Sequence, residues 1–294
     1  MRSRKVKINR IVRIGIILAA VCIMACAEIY RSHQTLTTTK YELFSDKITA
    51  PVRLVHLTDL HNSEFGEGNS ELIELVKKQE PDLILMTGDM LNGREEGTNV
   101  AENLIRALAQ VAPVYAAYGN HEVTHASEFG VSIAEMYTDA GAVFLERAYE
   151  DIVVNGQELR LGGIYGFCLS ERYLKWGEAK VWEIRFLEEF QDTGRYTVLL
   201  THLPTCWIQN DNLDAWDIDC VLSGHEHGGQ IRLPFIGGLY APDRGFFPGQ
   251  ASGLYHSSDG ERVMVLSRGL GSSNWIPRIN NVPEVVVIDL TPKT

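Results

Sequence analysis

Residues 52–61 read Val52-Arg53-Leu54-Val55-His56-Leu57-Thr58-Asp59-Leu60-His61, an aliphatic, β-branched run that leads straight into a carboxylate and an imidazole two positions apart. The first seven residues predict a short strand, and Asp59 and His61 would sit just beyond its carboxyl end. The arrangement recurs. Residues 83–87 form a continuous apolar run, as a strand buried on both faces requires, and lead into Gly88-Asp89. Residues 114–118, entered through Pro113, lead into Gly119-Asn120-His121-Glu122. Residues 196–201 lead into His202, and residues 218–223 into Gly224-His225-Glu226-His227.

Between these strands, residues 69–79, 100–110 and 132–140 carry apolar side chains at helical spacing, with Leu72, Ile73, Leu75 and Val76 on one face of the first. Alternating strands and helices predict a mainly parallel sheet covered by helices. The second half is richer in strands. Residues 151–154 and 157–163 flank Asn155-Gly156, a strong hairpin signal. Residues 180–190 read as a helix, and 262–267 and 284–290 as two further strands. So many strands after residue 150 point to an α/β fold in which two sheets form a sandwich flanked by helices, rather than to a single open sheet.

The chain has 294 residues, is 45% hydrophobic and 22% charged, and contains no low-complexity linker or internal repeat. Residues 1–31 hold seven Lys and Arg against one acid, Glu28. With −11 on the whole chain, the remainder carries −17. So acidic a body argues against a nucleic-acid partner, because that affinity rests on Lys and Arg neutralising phosphates. Bound cations would reverse the field locally, so an anionic substrate stays open.

The basic N-terminus precedes residues 14–27, which contain no charged side chain and almost only apolar ones. This is the pattern of a single-pass anchor at the cell membrane; a cleaved signal, or a lipid-processed one around Ile23-Met24-Ala25-Cys26, is the alternative. Basic residues before the segment favour a cytoplasmic N-terminus and an extracytoplasmic body. The expected organisation is a basic and apolar segment over residues 1–30, a polar connector over 31–50, and one large domain over 51–294. Cys22 and Cys26 sit in the apolar segment, while Cys168, Cys206 and Cys220 of the body show no disulfide framework or zinc-knuckle spacing and read as small buried hydrophobes.

Five strand ends could aim oxygen and nitrogen donors at one place, since α/β sheets bind ligands beyond the carboxyl ends of their strands. A carboxylate has two oxygens with which to bridge two cations, and imidazole is a neutral borderline donor suited to zinc, iron or manganese. An i, i+2 spacing in extended chain would put Asp59 and His61 on one side, and likewise His225 and His227. The glycines before Asp89, Asn120 and His225 would allow sharp turns at the strand ends.

These blocks, D-x-H, G-D, G-N-H-[DE], H and G-H-x-H in order over residues 59–227, resemble the calcineurin-like metallophosphoesterase superfamily. Gly224–Gly237, together with residues 267–278 and Pro283-Glu284, resembles its membrane-anchored or exported bacterial branch. The resemblance covers about residues 51–291. It implies a four-layer αββα fold and two divalent metal ions, manganese, iron or zinc. Asp59, His61 and His227 would hold the first, Asp89 would bridge, and Asn120, His202 and His225 would complete the second. It further implies hydrolysis of phosphate esters by a hydroxide held between the metals, with His121 near the leaving-group oxygen. The anchor favours a phosphodiester or a lipid pyrophosphate near a membrane. A phosphatase of soluble nucleotides, or a metal-dependent scaffold without turnover, are the alternatives; His121 beside the full ligand set weighs against the scaffold.

Glu226, in the variable slot, is expected to point away from the metals as a surface or supporting residue. His33, His56, His125 and His256 fit no block and read as ordinary surface or core residues. The five tryptophans read as core or rim, with Trp176 and Trp207 as candidates for contact with an amphipathic substrate or the membrane surface. Arg278 reads as either a phosphate contact or a structural ion pair. By position alone, residues 62–68 and 167–177 would wall the pocket.

Overall fold

The structure is a computed structural model that describes residues 2–166, 182–209, 212–242, 244–249, 251–272 and 276–293. In chain order the first half runs α1 (Arg2–Gln34), β1 (Thr37–Ser45), β2 (Val52–Leu57), α2 (Ser70–Lys77), β3 (Leu83–Met86), α3 (Asn99–Leu108), β4 (Val114–Ala116), α4 (Asn120–Phe129), α5 (Ile133–Asp139) and β5 (Ala142–Phe144). The second half runs β6 (Ala148–Val154), β7 (Gln157–Ile164), α6 (Trp182–Gln191), β8 (Tyr196–Thr201) and β9 (Cys220–Ser223). Four short strands follow: β10 (Arg232–Leu233), β11 (Gly237–Gly238), β12 (Tyr240–Ala241) and β13 (Gly245–Phe246). The last are β14 (Gly253–His256), β15 (Val263–Leu266) and β16 (Glu284–Pro292).

The long strands form two six-stranded sheets, ordered β1-β16-β2-β3-β4-β5 and β14-β15-β9-β8-β7-β6. Alternation along the strands sets the layers. Leu54, Leu85 and Ile288 from the first sheet meet Leu161, Leu200, Leu222 and Val265 from the second in a shared core. On the other face of the first sheet, Val55, Leu57, Ile84 and Val287 pack on Leu72, Leu104, Ile105 and Tyr137 of the helices. On the outer face of the second, Leu199, Val221 and Met264 pack on Leu187, Phe190, Trp207 and Trp216. Each fully buried aliphatic or aromatic side chain contributes about 1.5–3 kcal/mol. The result is the expected α/β sandwich of two sheets flanked by helices. Trp207 and Trp216 belong to its core, whereas Trp182 is exposed with the Arg147 guanidinium over its ring. Trp176 and Trp275, and the proposed wall at 167–177, lie outside the described residues.

The stretch read as a connector is not one. Within residues 31–50, β1 pairs in parallel with β16 over nine residues, from Thr37↔Glu284 to Ser45↔Pro292, so the first sheet begins well before residue 51. Its polar composition misled because it is an edge strand with only Leu43 buried. α1 contains one stretch, Val12–Gln34, long and apolar enough to cross a membrane, and residues 12–27 are exposed throughout.

Candidate metal centre

Four parallel strands of the first sheet and the inner strands of the second end side by side, which brings their following loops together. Across the first sheet, Asp59 N donates to Gly88 O at 3.0 Å and His61 N to Asp89 O at 3.0 Å. Between the sheets, His225 N lies 3.1 Å from both carboxylate oxygens of Asp59. The expectation that extended chain would align Asp59 with His61, and His225 with His227, does not hold. Asp59, His61, Asp89, His225 and His227 all take positive φ, between 47° and 73°. Left-handed backbone at a non-glycine residue costs on the order of 1–3 kcal/mol and persists where the surroundings over-determine it, typically at functional sites.

Of the three glycines, Gly88 has the expected role, with φ of 89°. Gly119 and Gly224 serve close approach instead. A Cβ on Gly119 would lie 2.2 Å from Asp89 Oδ1, and one on Gly224 would lie 2.2 Å from Thr58 Oγ1 and 2.5 Å from Asp59 Oδ2.

Asp59, His61, Asp89, His202, His225 and His227 are all buried, and their donor atoms gather in overlapping groups, each within 4.8 Å. One group is Asp59, His61 and His227; another is Asp89, His202 and His225; a third joins His61, Asp89 and His121. Asp89 Oδ2 is common ground, 3.2 Å from His202 Nε2 and 3.7 Å from His61 Nε2. Its Oδ1 accepts from His121 N at 2.8 Å.

Several donors fit a cation better than they fit one another. Asn120 Oδ1 is buried without a hydrogen-bond partner, and so are both ring nitrogens of His61 and Nδ1 of His227. A buried acceptor left unpaired costs about 1–3 kcal/mol. His202 Nδ1 lies 2.8 Å from Thr87 O, which can only accept, so Nδ1 carries the proton and Nε2 faces Asp89. A backbone bond of this kind fixes the tautomer that a ligating imidazole needs. Without a cation the charges must be settled by protons. Burial lowers His202, but Asp89 beside it prevails and raises it to about 9. Burial would raise Asp89, but His202 and the neighbouring imidazoles hold it well below the carboxylate range. Burial pushes His61 and His227 down to about 3, leaving them neutral, as metal ligands must be.

His121 differs from the rest. It is half-buried, and its Nδ1 accepts from Gly93 N at 2.9 Å, so the neutral ring carries its proton on Nε2. That nitrogen lies 4.0 Å from Asp89 Oδ2. A pocket of about 410 Å³ opens beside it, lined by Asn92, Gly93, Arg94, Glu95, Asn120 and Thr124. Of the expected wall at 62–68, Asn62 reaches this rim through Glu95, while Phe65 is buried in the core.

Three residues play roles the sequence did not disclose. Glu122 is buried and accepts four hydrogen bonds: Oε2 from Asp89 N at 2.7 Å and Gly119 N at 2.9 Å, Oε1 from Met90 N at 2.8 Å and Tyr137 Oη at 3.1 Å. It pins the Asp89 loop to the Asn120 loop. Burial, and then the charge of Asp89, push its carboxyl above the usual range. Arg278 is buried and donates to the carbonyls of Gly271, Arg268 and Asn281, which corrects both readings, the phosphate contact and the ion pair. Glu226 is buried against Arg244 at 3.3 Å, which excludes the surface half of its expected role and leaves the supporting one. The remaining histidines are structural: His56 pairs with Thr87 Oγ1, His125 is buried, His33 accepts from Arg278 N, and His256 is exposed.

The family model for the calcineurin-like phosphoesterases matches residues 52–229. The phosphodiesterase YaeI of Escherichia coli is 29% identical over 247 residues, covering 82% of this chain and 83% of that one. An uncharacterized metallophosphoesterase of Bacillus subtilis, YkoQ, is 27% identical over 239 residues, covering 80% and 82%. Among solved structures, a 5'-nucleotidase precursor from Thermus thermophilus superimposes with a TM-score of 0.45 at 15% identity, covering 76% of this chain and 50% of that one.

Proposed function

From the premise that this chain belongs to the calcineurin-like phosphoesterase family, and so is a metal-dependent hydrolase of phosphoesters, we propose that it carries a two-metal centre cleaving a membrane-proximal phosphodiester or lipid pyrophosphate. Asp59, His61 and His227 would hold one ion, Asn120, His202 and His225 the other, and Asp89 would be shared between them. The observation that carries this reading is the chain of overlapping donor groups that share His61 and Asp89, together with the buried, unpaired Asn120 Oδ1. The donor set is imidazole-rich and free of thiolate, which suits manganese, iron or zinc. Two such ions, when bound, supply a water acidic enough to attack phosphorus near neutral pH and positive charge for the phosphate oxygens.

The chain's own groups do the rest. Glu122, accepting from Asp89 N and Gly119 N, and Asp89 Oδ1, accepting from His121 N, hold the donors in place before substrate arrives. His121, with its proton on the nitrogen nearest Asp89 and its ring at the pocket, donates a hydrogen bond to the leaving-group oxygen and stabilises the charge that develops there. α1 anchors the enzyme in the cell membrane, and the basic residues ahead of its apolar part favour an extracytoplasmic body.

The test is metal content and hydrolysis of a model diester, a monoester and a lipid pyrophosphate by the full chain, wild type beside Asp89→Asn and His121→Gln. Two metals per chain, lost with activity in Asp89→Asn, are expected. His121→Gln should keep both metals and lose about 10²–10⁴ in kcat. Full activity in His121→Gln, or metal binding indifferent to Asp89→Asn, would remove the assignment. Proteolysis of intact cells reads the orientation: protection of the body from outside would overturn it.

A further inference from the structure

The body does not hang loosely from α1. It grips the last two turns of the helix through one loop. Asn280 N donates to Glu28 Oε1 at 2.9 Å, Asn281 N to Ser32 Oγ at 3.4 Å, and Arg278 N to His33 Nε2 at 3.3 Å. The same loop carries two other connections. Asn281 Nδ2 donates to His227 O at 2.6 Å and to Gln230 O at 3.0 Å. Asn280 Nδ2 donates to Arg232 O at 3.1 Å, and Ile231 bridges Ile279. Arg232 begins the β10–β11 hairpin, whose turn presents Phe235 and Ile236. Leu239 N then donates to Ile231 O at 2.8 Å and Phe247 N to Leu239 O at 2.8 Å, which ties the β12–β13 hairpin to the first.

These two hairpins hold a dense group of exposed apolar side chains. Phe235 is fully exposed, and Ile236, Phe246 and Phe247 are 57%, 68% and 62% exposed. A soluble surface rarely gathers large apolar groups this way without a partner. The height at which they sit follows from the helix. The exposed apolar part of α1 ends at residue 27, where the body's grip begins. Residues 12–27 rise about 24 Å, less than the roughly 30 Å of hydrocarbon that a bilayer presents. A short span draws its flanking structure into the interface. Glu28 and Asn280 then lie at headgroup level, with the exposed ring of Tyr30 beside them on the helix. That is where aromatic side chains concentrate.

We propose that Phe235, Ile236, Phe246 and Phe247 form an interfacial docking surface that inserts into the headgroup layer of the bilayer α1 crosses. Through the loop at 278–281 this surface and the helix fix the height and tilt of the His227 segment above the membrane. The inference rests on the reading of α1 as a membrane anchor, and extends it from a tether to a two-point mount.

The experiment uses the full chain in liposomes of phosphatidylethanolamine and phosphatidylglycerol. The photoreactive residue p-benzoylphenylalanine replaces, one at a time, Phe235, Phe246, Phe247, Ile17 in the anchor, and the exposed Val153 on β6. Mass spectrometry then reads phospholipid adducts. Adducts at 235, 246 and 247 near the yield at 17, and several-fold above that at 153, are the expected result. Adducts at 17 with 235, 246 and 247 no better than 153 would overturn the docking surface and leave the anchor standing. No adduct at 17 would overturn the anchor and the proposal with it. Protein cross-links at 235 or 246 in place of lipid would make the patch a protein interface and also overturn it.

Discussion

Replacing Glu122 by glutamine removes one charge and almost no volume, and its effect can be worked out atom by atom. The carboxylate accepts from three backbone amides and the Tyr137 hydroxyl. Glutamine offers one oxygen. Its best placement keeps that oxygen at the Oε2 site, facing Asp89 N and Gly119 N. The amide nitrogen then faces Met90 N and Tyr137. The tyrosine hydroxyl can rotate to accept from it, but the Met90 amide cannot. One buried donor left unpaired costs about 1–3 kcal/mol, and the two retained bonds lose about 1 kcal/mol each of charge assistance. Relief of repulsion from Asp89, which helps push the Glu122 carboxyl up, returns part of this. The net loss is about 2–4 kcal/mol. In a chain of this size that lowers Tm by about 5–10 °C. Thermal unfolding of the full chain in detergent, with metal content measured beside it, is the assay. The same variant should bind metal more weakly, because the Asp89 and Asn120 loops lose their shared clamp. A Tm within a degree of wild type with two metals retained would refute the clamp.

In metal-free protein, stability should peak near pH 6.5. His202 is raised to about 9, so its contribution is complete below 6.5 and lost as pH rises through 9; His56, His61 and His227, lowered to about 3, contribute above 6.5 and progressively less as pH falls toward 3. Metal should abolish the alkaline decline, since the ion takes the place of the His202 proton; a decline unchanged by saturating zinc in denaturation curves would contradict this. Gly224→Ala puts a Cβ within 2.5 Å of Asp59 Oδ2, so it should lose metal while keeping its circular dichroism, and two retained metals would count against the close approach. Arg278→Met strands the carbonyls of Arg268 and Gly271, should cost about 2–4 kcal/mol, and should weaken metal binding through the Leu270 and Gly271 amides that reach Thr58 O and Asp59 O; unchanged melting and metal content would show the guanidinium to be dispensable.

The gathering of Asp59, His61, Asp89, His202, His225 and His227 was legible because each follows a strand whose composition announces it. An apolar run followed by Gly-Asp, Gly-Asn-His or Gly-His-x-His leaves little freedom for where those side chains go. The backbone that delivers them was not legible. Nothing in the type of Asp59 or His225 signals a left-handed φ, because the surrounding fold imposes that strain. β1 was missed because an edge strand needs only one covered face, and Thr37–Ser45 carries Lys40 and Glu42 where a central strand would carry valine. Glu122 and Arg278 were missed in role for a common reason. Their partners are backbone amides and carbonyls, which every residue has and no sequence advertises. Glu226 read as either a surface or a supporting residue because its partner, Arg244, is supplied by a separate hairpin.

The pairing of β1 with β16 has a consequence for the order in which the molecule assembles. Thr37 follows α1 closely, yet its ladder partner is Glu284, and β16 also separates β1 from β2. While the chain is being made, the segment that follows α1 therefore waits, unpaired, for almost the whole body to be synthesised. Closing so long a loop is slow rather than unfavourable, since the entropy of closure grows only logarithmically with length while folding rate falls with sequence separation. Until β16 arrives, the first sheet lacks its second strand, and Glu284 is not there to meet Thr39 and Arg268. Loss of residues 284–292 alone would leave the Asp, His and Asn donors in the chain but detach the strand that joins their sheet to α1.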